Sequence, residues 1–561
     1  MPTGVITMQK NGSEIIMEVL LEQGVDTIFG YPGGAVLNIY DALYSYGDRI
    51  RHILTAHEQG ASHAADGYAR ATGKTGVVLA TSGPGATNLV TGLATAFMDS
   101  IPVVAITGNV STDLLGKDSF QEVFITGITM PITKHNFVVR DVTKLADTLR
   151  FAFEIANSGR PGPVLVDIPK DVSAALCDFE PKVPLKKEKT AHVDEEQLKA
   201  IADLLNHSKR PVMLYGGGVV ASNASASVMQ LIKKAKIPSC HTIMGTGVLP
   251  YGDPYNLGII GMHGSVSASR AVQQADVLLA VGARFSDRVA TNAGKFAKDA
   301  EIIHIDIDPA EINKNVPIHY SLIGDVKEVF EKLLPMIDER QDESWLEEIH
   351  SFRSENEYRP DENCKELKPH RIIRDIYNIF GKDIVMATDV GQHQMWAAQY
   401  SRAEEPRNFL TSGGLGTMGY GYGAAIGAAC GRAGTKVVHV TGDGSFHMNL
   451  NELCTSVSNN LPITTVLFNN RALGMVYQWQ KSFYNGRFSY TKSNRKTDFV
   501  LLAEAFGARG VRCENHDELR AALKEAADHD GPTVIECILS CEERVLPMIP
   551  AGLTADEIIL E

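Results

Sequence analysis

The chain has 561 residues, 44% of them hydrophobic and 21% charged, and a formal net charge of −14. That length exceeds what one hydrophobic core supports and implies about three or four domains. The negative charge argues against nucleic-acid or anionic-membrane binding, and the eight cysteines form no C-x-x-C pair, so reduced thiols are expected rather than a disulfide framework or metal cluster.

In chain order, the opening MPTGVITMQKNGSEII lacks both the apolar core of a secretory signal and the arginine-rich pattern of a transit peptide. No apolar run reaches membrane-spanning length, so a cytoplasmic protein is expected. Residues 1–180 alternate helical stretches with short apolar strands, predicted at 27–30, 53–56, 77–80 and 103–107. Such alternation implies a doubly wound parallel sheet. Polar residues 181–194 read as a linker. A second α/β unit follows at 195–340, with strands predicted at 211–215 and 301–308. Charged residues 338–369 read as a second linker carrying a solvated helix. The third unit spans 370–540, and the tail 541–561 is expected to fold over the active site.

The third unit holds the most informative stretch. A strand is predicted at 437–440 and a turn at 441–444. Leu450, Leu453, Cys454 and Val457 then fall at helical spacing, and a second strand is predicted at 463–468. A strand–helix–strand unit makes a parallel crossover. It brings Asp443 and Asn470 to the carboxyl edge of the sheet, where open α/β folds bind ligands. One carboxylate and one amide oxygen suit a hard cation such as Mg²⁺ that takes its other ligands from a diphosphate. A lone Gly-Asp-Gly is more often a strand-end turn. Followed by residues 445–468 and then Asn469-Asn470, it resembles the cofactor signature of thiamine diphosphate (ThDP) enzymes.

Glu58 stands just after a predicted strand, in the first turn of a helix, where the helix dipole favours a carboxylate. Read beside the ThDP signature, it is the candidate acid that activates the cofactor's aminopyrimidine. His57-Glu58 with His63 does not keep the H-E-x-x-H spacing of zinc proteases, so no zinc site is expected. Gly216-x-Gly218-x-x-Ala221 follows a predicted strand and meets the relaxed dinucleotide fingerprint, but no acid stands about 20 residues on to clamp a nicotinamide ribose. Trp479 lies a short way beyond Asn470, close enough to the metal-binding turn to be a site candidate.

Over essentially its whole length the sequence resembles the catalytic subunit of acetohydroxyacid synthase (acetolactate synthase). The resemblance rests on YPGGA (31–35), HEQGASHAADGYAR (57–70), TSGPGATN (81–88), GMHG (261–264), GARFSDRV (282–289), GGLGTMGYG (413–421) and VLPMIPAG (545–552). It implies an α/β fold of three doubly wound parallel-sheet domains: a pyrimidine-binding one, a middle FAD-binding one and a diphosphate-binding one. It also implies a homo-oligomer with active sites at the dimer interface, and leaves room for a small regulatory subunit. Position by position, Glu58, Gln121 and Gly34 would act at the reacting centre. Asp443, Asn470 and the carbonyl of Ala472 would hold Mg²⁺. ThDP would touch Gln392, His393, Gly416, Met418, Gly444, Ser445 and Met475. FAD would touch Arg160, Gly216, Gly217, Thr242, Met244, His263, Arg284, Asp306 and Asp325. Phe120, Lys170, Arg288, Val476 and Trp479 would line the substrate entrance.

The implied reaction removes CO₂ from pyruvate and joins the two-carbon unit to a second 2-oxo acid, giving 2-acetolactate or, from 2-oxobutyrate, 2-aceto-2-hydroxybutyrate. An FAD-free catabolic acetolactate synthase, another ThDP-dependent decarboxylase or oxidase, and an inactive ThDP-fold binding protein are the alternatives. Three departures stand out. Tyr422-Gly423 replaces Leu-Pro, Ser286 replaces an acid, and Asn109 stands where glutamine is common.

Overall fold

The computed structural model describes residues 8–184, 193–360 and 364–561. It contains three parallel six-stranded sheets and a two-stranded antiparallel pair, Met8–Asn11 with Leu176–Phe179. From edge to edge, the first sheet runs Arg51–Leu54, Thr27–Gly30, Gly76–Ala80, Val103–Asn109, Val164–Pro169, His135–Val138. The middle sheet runs Asn256–Ile259, Ser239–His241, Pro211–Tyr215, Val277–Val281, Glu301–Asp306, Tyr320–Ile323. The third runs Phe409–Leu410, Val385–Thr388, Val437–Gly442, Ile463–Asn469, Thr533–Ile538, Arg509–Cys513. Helices cover both faces, so the central strands are buried throughout and read as apolar runs.

Numbered in chain order within each sheet, the first and third share the order 2-1-3-4-6-5, whereas the middle sheet has 3-2-1-4-5-6. The second order is that of dinucleotide-binding sheets, and both bind ligands where the order reverses.

The first and third units share one apolar core, which joins Phe29, Ile53 and Ala61 to Val385, Tyr420 and Ile463. Two helices, Glu58–Thr72 and Tyr420–Gly431, cross at the seam with their backbones in contact. A Cβ on Gly67 would overlap the carbonyl of Ala424, and one on Gly427 the carbonyl of Ala64. Arg70 is buried beside them. Its guanidinium pairs with Asp66 and, at 2.9 Å, with Asp99, and donates to the Thr411 carbonyl. The middle unit has core clusters of its own.

Several elements differ from the sequence reading. The edge strand predicted at 53–56 lies at Arg51–Leu54, because an edge position tolerates exposed Arg51 where an apolar run was sought. The turn predicted at 441–444 is absent. Thr441 and Gly442 pair with Leu467 and Phe468, and a helix begins directly at Asp443. The helix Ser344–Asn356 is not solvated all round: Trp345, Leu346 and Ile349 are buried, and the indole donates to the Pro211 carbonyl at 3.2 Å. Much of the linker expected at 181–194, residues 185–192, lies outside the described residues. Among the described residues, no helix is long and apolar enough to cross a membrane.

Candidate active site

In the third sheet the order reverses between Val385–Thr388 and Val437–Gly442. The turns that leave these strands form a narrow cleft lined by Gln392, His393, Met418, Asp443, Gly444 and Ser445. Asn470, Ala472, Met475 and Val476, arriving from the end of Ile463–Asn469, complete it. Two loops are tied together here. Asn470 Nδ2 donates to Gln392 Oε1 at 3.3 Å, and Asn470 Oδ1 accepts from the Ala472 N–H at 3.1 Å. Gln392 Nε2 donates in turn to Gln478 Oε1 (3.0 Å) and to the carbonyl of Glu543 (2.9 Å), which draws the C-terminal tail to the rim.

The electrostatics suit an anion bridged by a cation. Burial pushes the Asp443 carboxyl up to about 6, against the Gly444 N–H and the charge of Arg495. Burial pushes the His393 imidazole down to about 4, and its Nε2 has no hydrogen-bond partner. Among the described residues no three His, Cys, Asp or Glu side chains gather to hold a metal. A cation at Asp443 would therefore depend on neutral oxygens and on the ligand's own, as a diphosphate chelate does. The glycines fit that use, since a Cβ on Gly442 would stand 2.9 Å from His393 Nδ1 and one on Gly444 2.7 Å from Leu473 Cδ2.

Behind this cleft lies a buried brace that the sequence reading missed. Asp389 accepts from the Gly421 N–H (2.7 Å) and Thr441 Oγ1 (2.6 Å), and His439 Nε2 is 3.2 Å away. Burial pushes its carboxyl up, but His439, Thr441 and Gly421 together hold it below the ordinary value.

Glu58, Gly34 and Gln121 belong to the corresponding edge of the first sheet and do not line the cleft of Asp443 in the same chain. Glu58 is the first residue of its helix and buried. One carboxyl oxygen, Oε2, accepts from Asn88 Nδ2 at 2.9 Å. The turn that carries Asn88 also meets Gln121: Gly83 has φ 60°, and a Cβ there would lie 2.8 Å from the Gln121 carbonyl. Glu452, reaching from the third unit, accepts from the N–H groups of Ala56 (3.1 Å) and His57 (3.0 Å). Burial raises the Glu452 carboxyl, with the charge of Glu58 adding to the rise. Neither Asn88 nor Glu452 could be singled out from spacing. Asn88 lies 30 positions from its partner, and Glu452 is an ordinary polar residue in a helical run.

A second, larger cavity of about 1060 Å³ opens where the middle sheet reverses its order. Arg160, Gly217, Thr242, Met244 and His263 line it, as do Arg284, Asp306 and Asp325. Gly216 stands just behind, its N–H donating to the Val281 carbonyl at 3.0 Å. Arg160 is already paired with Asp308 (3.2 Å) and Glu311 (2.9 Å). Burial pushes the His263 ring down to about 4, and its Nδ1 has no partner. The volume, the glycine-rich turn after the first strand and the strand order suit a dinucleotide. The cavity runs on to Arg288, Gly416, Met418, Met475, Val476 and Trp479, so it meets the cleft of Asp443. Phe120 and Lys170 stand exposed on the first unit and line neither space.

Of the three departures, two are internal. Asn109 donates to buried Asp167 at 2.6 Å, and the Tyr422 hydroxyl lies 2.5 Å from Ser456 Oγ. Ser286 lines the large cavity.

Comparison with known proteins gives a consistent picture. Residues 10–128, 198–333 and 389–537 match the N-terminal TPP binding, central and C-terminal TPP binding domains of thiamine pyrophosphate enzymes. The chain is 47% identical over 556 residues to a probable acetolactate synthase large subunit from Methanocaldococcus jannaschii, covering 96% of this chain and 94% of that protein. It is 44% identical over 552 residues to the acetolactate synthase isozyme 2 large subunit of Escherichia coli, covering 98% and 99%. A Haemophilus influenzae acetolactate synthase large subunit is 41% identical over 562 residues, covering 98% of each.

Proposed function

Since this chain belongs to the thiamine pyrophosphate enzymes, and within them to the acetolactate synthase large subunits, we propose that its reaction centre forms between two copies. In that centre the third-unit cleft of one copy faces the first-unit acid of the other. The activity is that of a ThDP-dependent acetolactate synthase. ThDP, when bound, supplies an electron sink that lets a 2-oxo acid lose CO₂ and its two-carbon remainder join a second 2-oxo acid.

The observation that carries the reading is the grouping of Asp443, Asn470 and Ala472 beside Gln392 and His393 where the strand order reverses. Asp443, the Asn470 side-chain oxygen and the Ala472 carbonyl would hold Mg²⁺. Gln392, His393, Gly444 and Ser445 would take the diphosphate, with Gly416, Met418 and Met475 on the ring side. Glu58 would hold and exchange a proton at its carboxyl, with Gly34 and Gln121 beside it. Arg288 and Lys170 would hold the substrate carboxylates, while Phe120, Val476 and Trp479 would shape the acyl pocket. The large cavity would take FAD on the residues named for it above, and the tail 541–561 would cover the centre.

Pairing of two copies is supported by Glu58 lying off the cleft of its own chain and by apolar side chains exposed on the first unit, Phe120 at 87% and Phe124 at 73%. A small regulatory partner is proposed because the relatives are named large subunits. The test is product analysis with pyruvate and 2-oxobutyrate mixed, with and without added FAD, alongside flavin absorbance and solution mass of the purified protein. Both acetolactate and acetohydroxybutyrate are expected from a flavin-bearing dimer or larger assembly. Aldehyde as the sole product would overturn the reading.

A further inference from the structure

We infer that Asn88 is a positioning residue for Glu58: its amide N–H occupies Oε2, so that the proton Glu58 exchanges is carried on Oε1. This deepens the proposed function and rests on Glu58 being the acid of that reaction. The contact is short and sheltered. Asn88 Nδ2 lies 2.9 Å from Oε2, and Glu58 is only 8% exposed.

The two oxygens of Glu58 have different surroundings. Oε2 faces an N–H donor, and an amide NH₂ cannot accept a hydrogen bond, so a proton on Oε2 would meet another proton head on. Oε1 faces Gly85, where a Cβ would come within 3.1 Å of it, so the glycine leaves that oxygen clear. The acid is thereby held in one rotamer with one oxygen free to exchange.

Asn88 is itself fixed. Its backbone N–H donates to the Pro84 carbonyl at 3.0 Å, closing the short helix Pro84–Thr87. The turn at Gly83, whose neighbour is Gln121, starts that helix. One turn thus sets both Glu58 and Gln121. Glu452 fixes the other side by holding the N–H groups of Ala56 and His57, which precede the acid. Asn88 fixes the carboxyl group, and Glu452 fixes the backbone that carries it.

The experiment compares Asn88→Ala, Asn88→Asp and Glu58→Gln in the full-length protein. In cofactor-free protein, the Glu58 carboxyl is titrated by difference infrared spectroscopy against Glu58→Gln. Asn88→Asp places a second carboxyl against Oε2 and is expected to raise the Glu58 pKa by about one unit or more. With ThDP and Mg²⁺ but no substrate, hydrogen–deuterium exchange at the thiazolium C2 is read by NMR. Asn88→Ala is expected to slow it by roughly 10-fold or more, while ThDP affinity changes by less than about 3-fold. An unchanged Glu58 titration in Asn88→Asp overturns the inference, as does an unchanged exchange rate in Asn88→Ala. If Asn88→Ala does not fold, the isosteric aspartate variant decides alone. Full turnover by Glu58→Gln would instead overturn the reading of Glu58 as the acid. A dead Glu58→Gln beside wild-type behaviour of both Asn88 variants removes only the role of Asn88.

Discussion

Trp479 stands in the wall of the large cavity near Met475, Val476 and Arg288, edge-on to Phe483 at 5.3 Å and packed against Met262, Leu546 and Met548. Its indole offers a flat apolar face where the second substrate's side chain would lie. Trp479→Leu is expected to lower the preference for 2-oxobutyrate over pyruvate by about 1–3 kcal/mol, the worth of one methylene in such a pocket. Competition between the two acids reads this directly, and an unchanged product ratio would remove the residue from the pocket. Glu58→Gln is expected to reduce turnover by about 100-fold or more, the range for losing a positioned acid–base group. ThDP should still bind, because on the proposed reading its diphosphate end would rest on other residues, and loss of binding in the variant would count against that division of labour. The sequence singled out both as candidates, Glu58 by its place at a helix start within the motif 57–70 and Trp479 by its closeness to Asn470. Asn88 closes the motif 81–88 and Glu452 sits in a helical run, but neither was singled out, because what matters is direction: one amide and one carboxylate turned toward a helix start.

At the scale of elements, the crossing of Glu58–Thr72 with Tyr420–Gly431 decides how the acid-bearing turn is held. Glycine is required where backbones touch, and Gly427→Ala forces a methyl group into the Ala64 carbonyl. A loss of about 1–3 kcal/mol in stability is expected, as for other overpacked cores. The shift in denaturant midpoint measures it, and a midpoint equal to the parent's would mean that the helices slide apart freely. Short apolar runs revealed the inner strands Gly76–Ala80, Val103–Asn109, Pro211–Tyr215, Glu301–Asp306, Val437–Gly442 and Ile463–Asn469, whereas Val277–Val281, Val385–Thr388 and Thr533–Ile538, equally inside their sheets, were not singled out. Strand ends were less legible. Arg51–Leu54 is an edge strand with exposed residues, and Val437–Gly442 continues through Gly442 because its ladder with Ile463–Asn469 outweighs the turn preference of glycine. The helix Ser344–Asn356 escaped because a charged surface hid the three side chains it buries.

For the whole molecule, burial sets the response to acid. Five histidines, His52, His63, His241, His263 and His393, are each pushed by burial from the ordinary 6.5 to about 4. Between those values the unfolded chain takes up protons that the folded chain refuses, so their contribution is complete above 6.5 and declines as pH falls toward 4. Asp167 and Asp443, pushed by burial to about 6, and Glu452, also pushed up by burial, act with the opposite sign, since their protonated forms favour the fold at low pH. Five groups against three give a net loss, and the melting temperature is expected to be lower at pH 5 than at pH 7. A higher value at pH 5 would show that the carboxyls dominate. That the chain builds three parallel α/β sheets was readable from alternation. The shared strand order of the first and third sheets was not, because spatial order leaves no trace in spacing along one chain.

The common core of the first and third sheets has a practical consequence for how this enzyme can be taken apart. Chain continuity is not what keeps those two halves together, because the greasy seam between them already does so. Made as two separate polypeptides, one carrying the first sheet and the other the remainder, the halves should find each other in the test tube and co-purify. The middle sheet, with a core of its own, is then a guest between two hosts that would recognise one another without it.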